Sequence, residues 1–370
     1  MEGDELTKAR TNFALGLAAL ALASPVAAGC GEDGEEEATA AGAGAAQLAP
    51  VKAYLTDHSA DLVAQVEILR EKADRYHALA ESVDFDYGLL LDEHRDEVAE
   101  LLADSKQAFV TANPAYEEME GIVAGVPRLA QYDVDIDAGS DASTPEDAVS
   151  FTLTTQSGKV LKQPGNLFFL TETALYGTNP ELQAKGAKAD VDGDGTVEFG
   201  EGLPDADTYK ATLDEFARQA QSLQGDAREF EPTPSDALTA IVVMTPTMSE
   251  YFEAWKNSRF IAGEEAEELG FVATSRLSDI ADILGGILFT YEGIEPLIAT
   301  ENPQQAKQTK RELESLVAFA SDLRDREAEG EKFTAKQADA LGAQAQAQAE
   351  AIAGQVTQAA KQLDIELQEG

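Results

Sequence analysis

The sequence predicts an all-α protein: two up-and-down four-helix bundles with a small β-hairpin or loop insertion and a second, acidic loop. Three observations carry this expectation. From Pro50 onward apolar residues recur at steps of three and four, the period of a half-buried helix. Asn113-Pro114 and Asn302-Pro303 read as helix starts, with Asn as the cap and Pro in the first turn. Two irregular stretches, 132–165 and 178–205, separate the helical segments into two groups. No period of 20–50 residues recurs, which argues against a solenoid.

Taken in order, Leu62, Val66, Leu69, Ala73 and Tyr76 share one helix face, as do Val98, Leu102, Ser105 and Phe109 in the next segment. A further helix is expected over 115–130. Residues 132–147, rich in Asp, Ser and Gly, read as a loop. The alternation Phe151-Thr152-Leu153-Thr154-Thr155, a turn at Gln156-Ser157-Gly158 and then Val160-Leu161 predict a small hairpin. Pro164-Gly165-Asn166 starts a helix to Tyr176. Helices near 206–222, 234–258, 275–299, 303–328 and 334–365 complete the chain. The domain boundaries expected are 50–205 for the first bundle, which carries the acidic loop, and 206–370 for the second.

The 370 residues hold 69 Asp plus Glu against 27 Lys plus Arg and 3 His, a formal charge of -42. That balance argues against nucleic acid, whose phosphates need clustered cations, and against anionic lipid surfaces. It favours cations as partners, or adaptation to high salt. At 44% hydrophobic residues, the chain still has the material for large cores.

Residues 13–26, FALGLAALALASPV, are too short an apolar run to span a bilayer and suit a signal-peptide core. Ala27-Ala28-Gly29 then precede Cys30, the only cysteine. The arrangement resembles the lipobox of bacterial lipoproteins. It predicts a signal peptide over 1–29, lipidation at Cys30 with anchoring to the membrane, and a flexible acidic and Ala/Gly-rich tether over 30–49. Export to the periplasm or cell surface follows.

Residues 190–201 read DVDGDGTVEFGE. Asp190, Asp192 and Asp194 occupy positions 1, 3 and 5 of a twelve-residue EF-hand loop, and Gly195 the sixth, where the chain turns sharply. Thr196 would offer its carbonyl, Glu198 would act directly or through water, and Glu201 would be the bidentate carboxylate. Calcium takes six to eight oxygens, and carboxylates crowded together are unfavourable without it. Val197 is expected to pack behind the loop. With no second such loop, a structural role for calcium is expected rather than a switch.

Three stretches resemble the imelysin family, and within it the EfeO-like (EfeM/EfeO) iron-uptake lipoproteins. They are 115–126 (AYEEMEGIVAGV), 165–177 (GNLFFLTETALYG), and the C-terminal half, with Gly263-Glu264-Glu265, 277–287 and 291–324. The resemblance covers roughly residues 50–365. It implies two four-helix bundles with a ligand cleft between them, a role in iron acquisition, and an iron permease or peroxidase as partner. At the family's HxxE position, Phe169 stands in place of the His while Glu172 matches the Glu; the family's later His falls near Thr274, and Asp279 matches the Asp. His58, His77 and His94 match no motif position. The candidate cleft ligands are then all oxygen: Glu117, Glu120, Asp135, Asp137, Glu172 and Asp279. Such a set favours ferric iron, calcium, magnesium or manganese over zinc or copper.

The sequence reading is a lipid-anchored metal-binding protein with a structural calcium site, possessing no enzymatic activity. One alternative is a structural or interaction lipoprotein of the same fold that binds calcium alone. Another is a metallopeptidase, which would need a metal that activates water.

Overall fold

The computed structural model describes residues 36–368. The expected signal peptide and Cys30 lie outside the described residues. Helix α1 (Glu36–Ser82) begins inside the stretch expected to be a flexible tether. Alanine, the strongest helix former, dominates that stretch.

α2 (Tyr87–Val123) follows a tight turn and is capped by Asp86, whose carboxylate accepts the Leu89 N–H. α3 (Ala130–Asp133) leads into a π-helical turn, Val134–Ala138. Strands β1 (Thr152–Thr154) and β2 (Val160–Lys162) form the expected antiparallel hairpin, Leu153 facing Leu161. α4 (Leu167–Leu175) is capped by Asn166, and α5 (Ala206–Glu229) by Asp205. The second half holds α6 (Pro234–Met244), α7 (Met248–Asn257), α8 (Arg259–Ala262), α9 (Arg276–Glu301), α10 (Pro303–Ala328) and α11 (Ala335–Gln362). Thr233 and Thr334 start α6 and α11 with reciprocal capping boxes, closed by Asp236 and Gln337.

The first bundle packs α1 against α2 and α5, with α4 laid across α2 and α5. The second packs α9 on α10, and α11 against α6, α7 and α10. α2 and α1 also pack on α9, so one continuous apolar core runs through both bundles. The predicted faces are the buried ones: Leu62, Val66, Leu69, Ala73 and Tyr76 are each at most 1% exposed. Among the described residues no helix is long and apolar enough to cross a membrane.

Four sequence expectations are corrected. Asn113-Pro114 does not start a helix; α2 runs through it. Proline costs the bond to the Val110 carbonyl, but Val110 is exposed to solvent while Ala112, Ala115, Tyr116 and Met119 are buried around it. The long helix departs from helical geometry instead at His94 (φ -131°, ψ 17°). The helix expected over 115–130 ends at Val123, and the loop expected over 132–147 contains α3 and the π turn. The helix expected over 234–258 is divided at Pro246 by a 3-10 turn, Thr245–Thr247. In the first bundle α5 packs on α1. Tyr209, Leu213, Phe216 and Ala220 on α5 supply the apolar face that closes it.

Candidate metal centre and cleft

Two helices and the π turn bring the cleft residues together. Glu117 and Glu120 lie one turn apart on α2 and therefore share a face. The π turn presents Asp137, and α9 presents Arg276 and Asp279 from its first turn. Glu117, Glu120 and Asp137 each offer an oxygen within 4.8 Å of the others. Asp133 joins from the end of α3, accepting a hydrogen bond from the Tyr116 hydroxyl at 2.8 Å. The Tyr251 hydroxyl donates to Glu120 Oε1 at 2.8 Å, and Asn113 Nδ2 donates to Glu117 Oε1 at 3.1 Å.

One guanidinium faces these acids. Arg276 Nη1 lies 3.1 Å from Asp279 Oδ2, 3.7 Å from Glu117 Oε2 and 3.8 Å from Asp137 Oδ2. Burial raises every carboxyl pKa in the group, because a charge out of water is costly. It pushes Glu120 up to about 7, with Asp137 adding repulsion. It takes Asp279 to about 6, where Arg276 pulls the value down and Asp137 pushes it up. Glu117 and Asp133 are held well above the carboxylate range by burial first and neighbouring acids second. Glu117 Oε2, Glu120 Oε2 and Asp279 Oδ1 are buried and accept no hydrogen bond. Hard oxygen donors left without partners in a buried cluster fit a hard cation.

Asp137, Arg276 and Asp279 of this group line a cleft of about 680 Å³ together with Asn113, Phe169 and Tyr251, while Glu117 and Glu120 are buried and are not among its lining residues. Asp141, Asp147, Glu250 and Glu268 also line it, so the approach is acidic. Phe169 and Thr274, which stand where the resemblance expects histidines, both line the cleft.

Two expected ligands have other roles. Glu172 accepts backbone N–H bonds from Phe271 (2.6 Å), Val272 (2.9 Å) and Ala273 (2.8 Å), which fastens the segment before α9 to α4. Its pKa rises to about 7 through burial, opposed by those three donors. Asp135 accepts from Ser150 N and Oγ, both at 2.6 Å, and from Gln219 at 3.1 Å. On a π turn, Asp135 and Asp137 need not share a face, and here they do not share a site. Asp133, Arg276 and Tyr251 were missed. Arg276 sits three residues before Asp279, one helical turn away, and that spacing was the available signal. None of the histidines joins the group. His58 pairs with Glu118 at 3.1 Å, buried His77 lies 3.6 Å from Asp207, and His94 marks the bend in α2.

In the 190–201 loop, Asp190, Asp192 and Asp194 bring their oxygens within 4.8 Å of one another. Gly195 has φ +95°, a conformation that favours glycine and makes the sharp turn possible. Glu201 folds back across the loop, accepting from Val191 N (3.1 Å), Asp192 N (3.3 Å) and Glu198 N (2.7 Å). Asp194 accepts from Thr196 N and Oγ1, which lowers its pKa. The all-oxygen donor set fits calcium. Glu198 is not part of the close cluster of carboxylate oxygens. Helices do not flank the loop. Its ends are joined by a bridge between Gln183 and Pro204 and by the bond from Ala184 N to Leu203 O at 2.8 Å. Val197 does not pack behind the loop: it is 51% exposed, since no second loop pairs with it. On the protein side, Lys106 Nζ donates to Gly200 O at 2.6 Å, Arg95 donates to Asp190 O, and the Arg259 guanidinium covers the Phe199 ring at 3.7 Å.

An all-α pair of bundles beside a carboxylate-lined cleft defines the class: a two-bundle helical scaffold with a buried acidic cluster. A family model described as Imelysin matches residues 53–359, and the chain belongs to the imelysin family. No curated protein matches the chain. The family is named as a peptidase family, which overturns the expectation that the chain is not an enzyme. The absence of a nucleophilic cysteine or serine set in the sequence had suggested otherwise, but a metal-dependent peptidase needs neither.

Proposed function

We propose that this imelysin-family chain is an exported, lipid-anchored protein of the EfeO-like iron-uptake type, whose cleft receives a hard cation such as Fe(III) as cargo. The observation that supports this most is the trio of buried oxygens on Glu117, Glu120 and Asp279 that accept no hydrogen bond, beside an acidic cleft that Asp279 lines. Glu117, Glu120 and Asp137 would hold the ion, with Asp279 beside them. The acidic rim would raise the local cation concentration. The 190–201 loop is assigned a structural calcium ion held by Asp190, Asp192, Asp194 and Glu201. Cys30 is assigned the lipid anchor, and a permease or peroxidase the role of partner.

The test is calorimetric titration of Fe(III), supplied as a weak chelate, into the wild type and Glu117→Gln/Glu120→Gln. The double substitution is expected to cost at least about a hundredfold in affinity, since it removes two charged ligands from a buried site. Unchanged binding would remove the cleft from consideration.

The peptidase reading has a specific observation behind it besides the family name. A cleft of about 680 Å³ with Phe169 and Phe271 in its wall is far larger than an ion requires and within the range of small-molecule sites. In that reading a cleft metal would supply Lewis-acid activation of water, while Tyr251 and Arg276 would orient a substrate carbonyl or carboxylate. Peptide hydrolysis that requires added metal and disappears in Glu117→Gln/Glu120→Gln would establish it.

A further inference from the structure

We infer that Arg276 is a tethered competitor for the cation the cleft receives: its guanidinium neutralises the carboxylate group in the metal-free chain, and a cargo ion is held only by overcoming it. This rests on the cation-binding reading above. The guanidinium sits among the ligand carboxylates, 3.1 Å from Asp279, 3.7 Å from Glu117 and 3.8 Å from Asp137. Arg276, Glu117 and Asp279 are 6%, 0% and 1% exposed, so water screens little of the charge between them. An arginine does not shed its proton in a protein, so its charge leaves the site only by movement of the side chain. Arg276 lines the cleft and its Nε donates no hydrogen bond, so the side chain has open space beside it to swing into. The rings of Tyr251 at 4.4 Å and Phe271 at 4.7 Å hold the guanidinium where it lies, and that contact too is lost on displacement.

The physical consequence is a threshold. Displacing Arg276 forfeits the same three ion pairs whichever ion arrives, so every cation pays a common penalty. Ions that bind carboxylates weakly, such as Mg(II) or Mn(II), lose occupancy, whereas a trivalent ion retains enough affinity to stay. The same arginine keeps the metal-free cluster from being a group of uncompensated buried acids.

The test titrates Fe(III), as a weak chelate, and Mn(II) into chelator-treated wild type, Arg276→Gln and Arg276→Lys, with thermal melts before and after metal. Arg276→Gln is expected to bind both ions at least about tenfold tighter, from loss of a unit charge within about 4 Å of the ligands. It should also melt lower without metal and gain more on Mn(II) addition. Arg276→Lys, which keeps the charge but loses the planar stack on Tyr251 and Phe271, should bind both ions less tightly than Arg276→Gln. Binding by Arg276→Gln that is unchanged or weaker, or Arg276→Lys behaving like Arg276→Gln, overturns the inference while leaving the cleft reading intact. No cation binding in any of the three proteins overturns both. If Arg276→Gln folds only with metal, that is the expected effect in its extreme form. If it does not fold at all, Arg276→Gln/Asp133→Asn removes one buried acid along with the guanidinium without touching the three converging carboxylates, and must still bind Mn(II) more tightly than wild type.

Discussion

The cleft and the 190–201 loop are both built from Asp and Glu, yet they hold them in opposite surroundings. In the cleft, Glu117, Glu120 and Asp279 are almost fully buried, and burial drives their pKa values up. In the loop, Asp192 and Asp194 are exposed, and Asp194 is pulled down by the hydroxyl and N–H of Thr196. The buried group is costly in the absence of a counter-charge, and the structure supplies Arg276. The exposed group is screened by water and is shaped by its own backbone N–H groups. Identical carboxylate chemistry thus carries opposite proton affinities in the two places, set by burial in one and by exposed N–H and hydroxyl donors in the other.

The largest break in that comparison is expected at Glu172, the buried acid that anchors rather than binds. Glu172→Ala leaves the N–H groups of Phe271, Val272 and Ala273 without their acceptor and should destabilise the fold by about 2–5 kcal/mol. Chemical denaturation checks this, and a loss below about 1 kcal/mol would show that water replaces the carboxylate readily.

Next in size is pH. Glu120, at about 7 in the folded chain, lies above its ordinary value of 4.5, so the folded state binds the proton more tightly than the unfolded one. The stability this supplies is complete below pH 4.5 and is lost as pH rises through about 7. The metal-free protein should therefore melt lower at pH 7.5 than at pH 5, by an amount reflecting a few kcal/mol. Glu120→Gln should flatten the slope. A melting temperature that rises over this range with a slope insensitive to Glu120→Gln would contradict the buried assignment.

A smaller effect is expected at the loop. Calcium at about a hundred times its dissociation constant adds about 2.7 kcal/mol to a site that binds only the folded chain. Asp190→Asn/Asp194→Asn should abolish the calcium-dependent rise in melting temperature and leave Fe(III) titrations unchanged. Loss of both together would mean that the two clusters are one system. Smallest is Phe199→Ala, which removes the ring beneath Arg259 and should cost about 0.5–1 kcal/mol in calcium-loaded protein by denaturant titration.

Much of the scaffold was legible because helical periodicity is local. The buried faces of α1 and α2 and the helix starts at Asn166 and Asn302 follow from spacing and residue type alone. So does the pairing of Glu117 with Glu120, one turn apart on a helix. The misreadings arise where neighbours outside the segment decide. Pro114 looked like a start because the burial of the residues flanking it is invisible in the dipeptide. Asp135 and Glu172 looked like ligands because the backbone N–H groups they accept from belong to Ser150 and to residues 271–273. Arg276 was passed over because a single basic residue carries no pattern of its own.

By itself the sequence determined the helical class, the hairpin, the spacing of the 190–201 acids and the inventory of acidic side chains. These depend on backbone period and side-chain chemistry, which short stretches of chain encode. Only the tertiary structure decided which acids are buried, which face one another and where the counter-charge sits. It brought Asp137 from the π turn, Glu117 and Glu120 from α2, and Arg276 and Asp279 from α9 to one point. The energy of a charge depends on its distance from water and from other charges, and both are set by packing between elements distant in the chain.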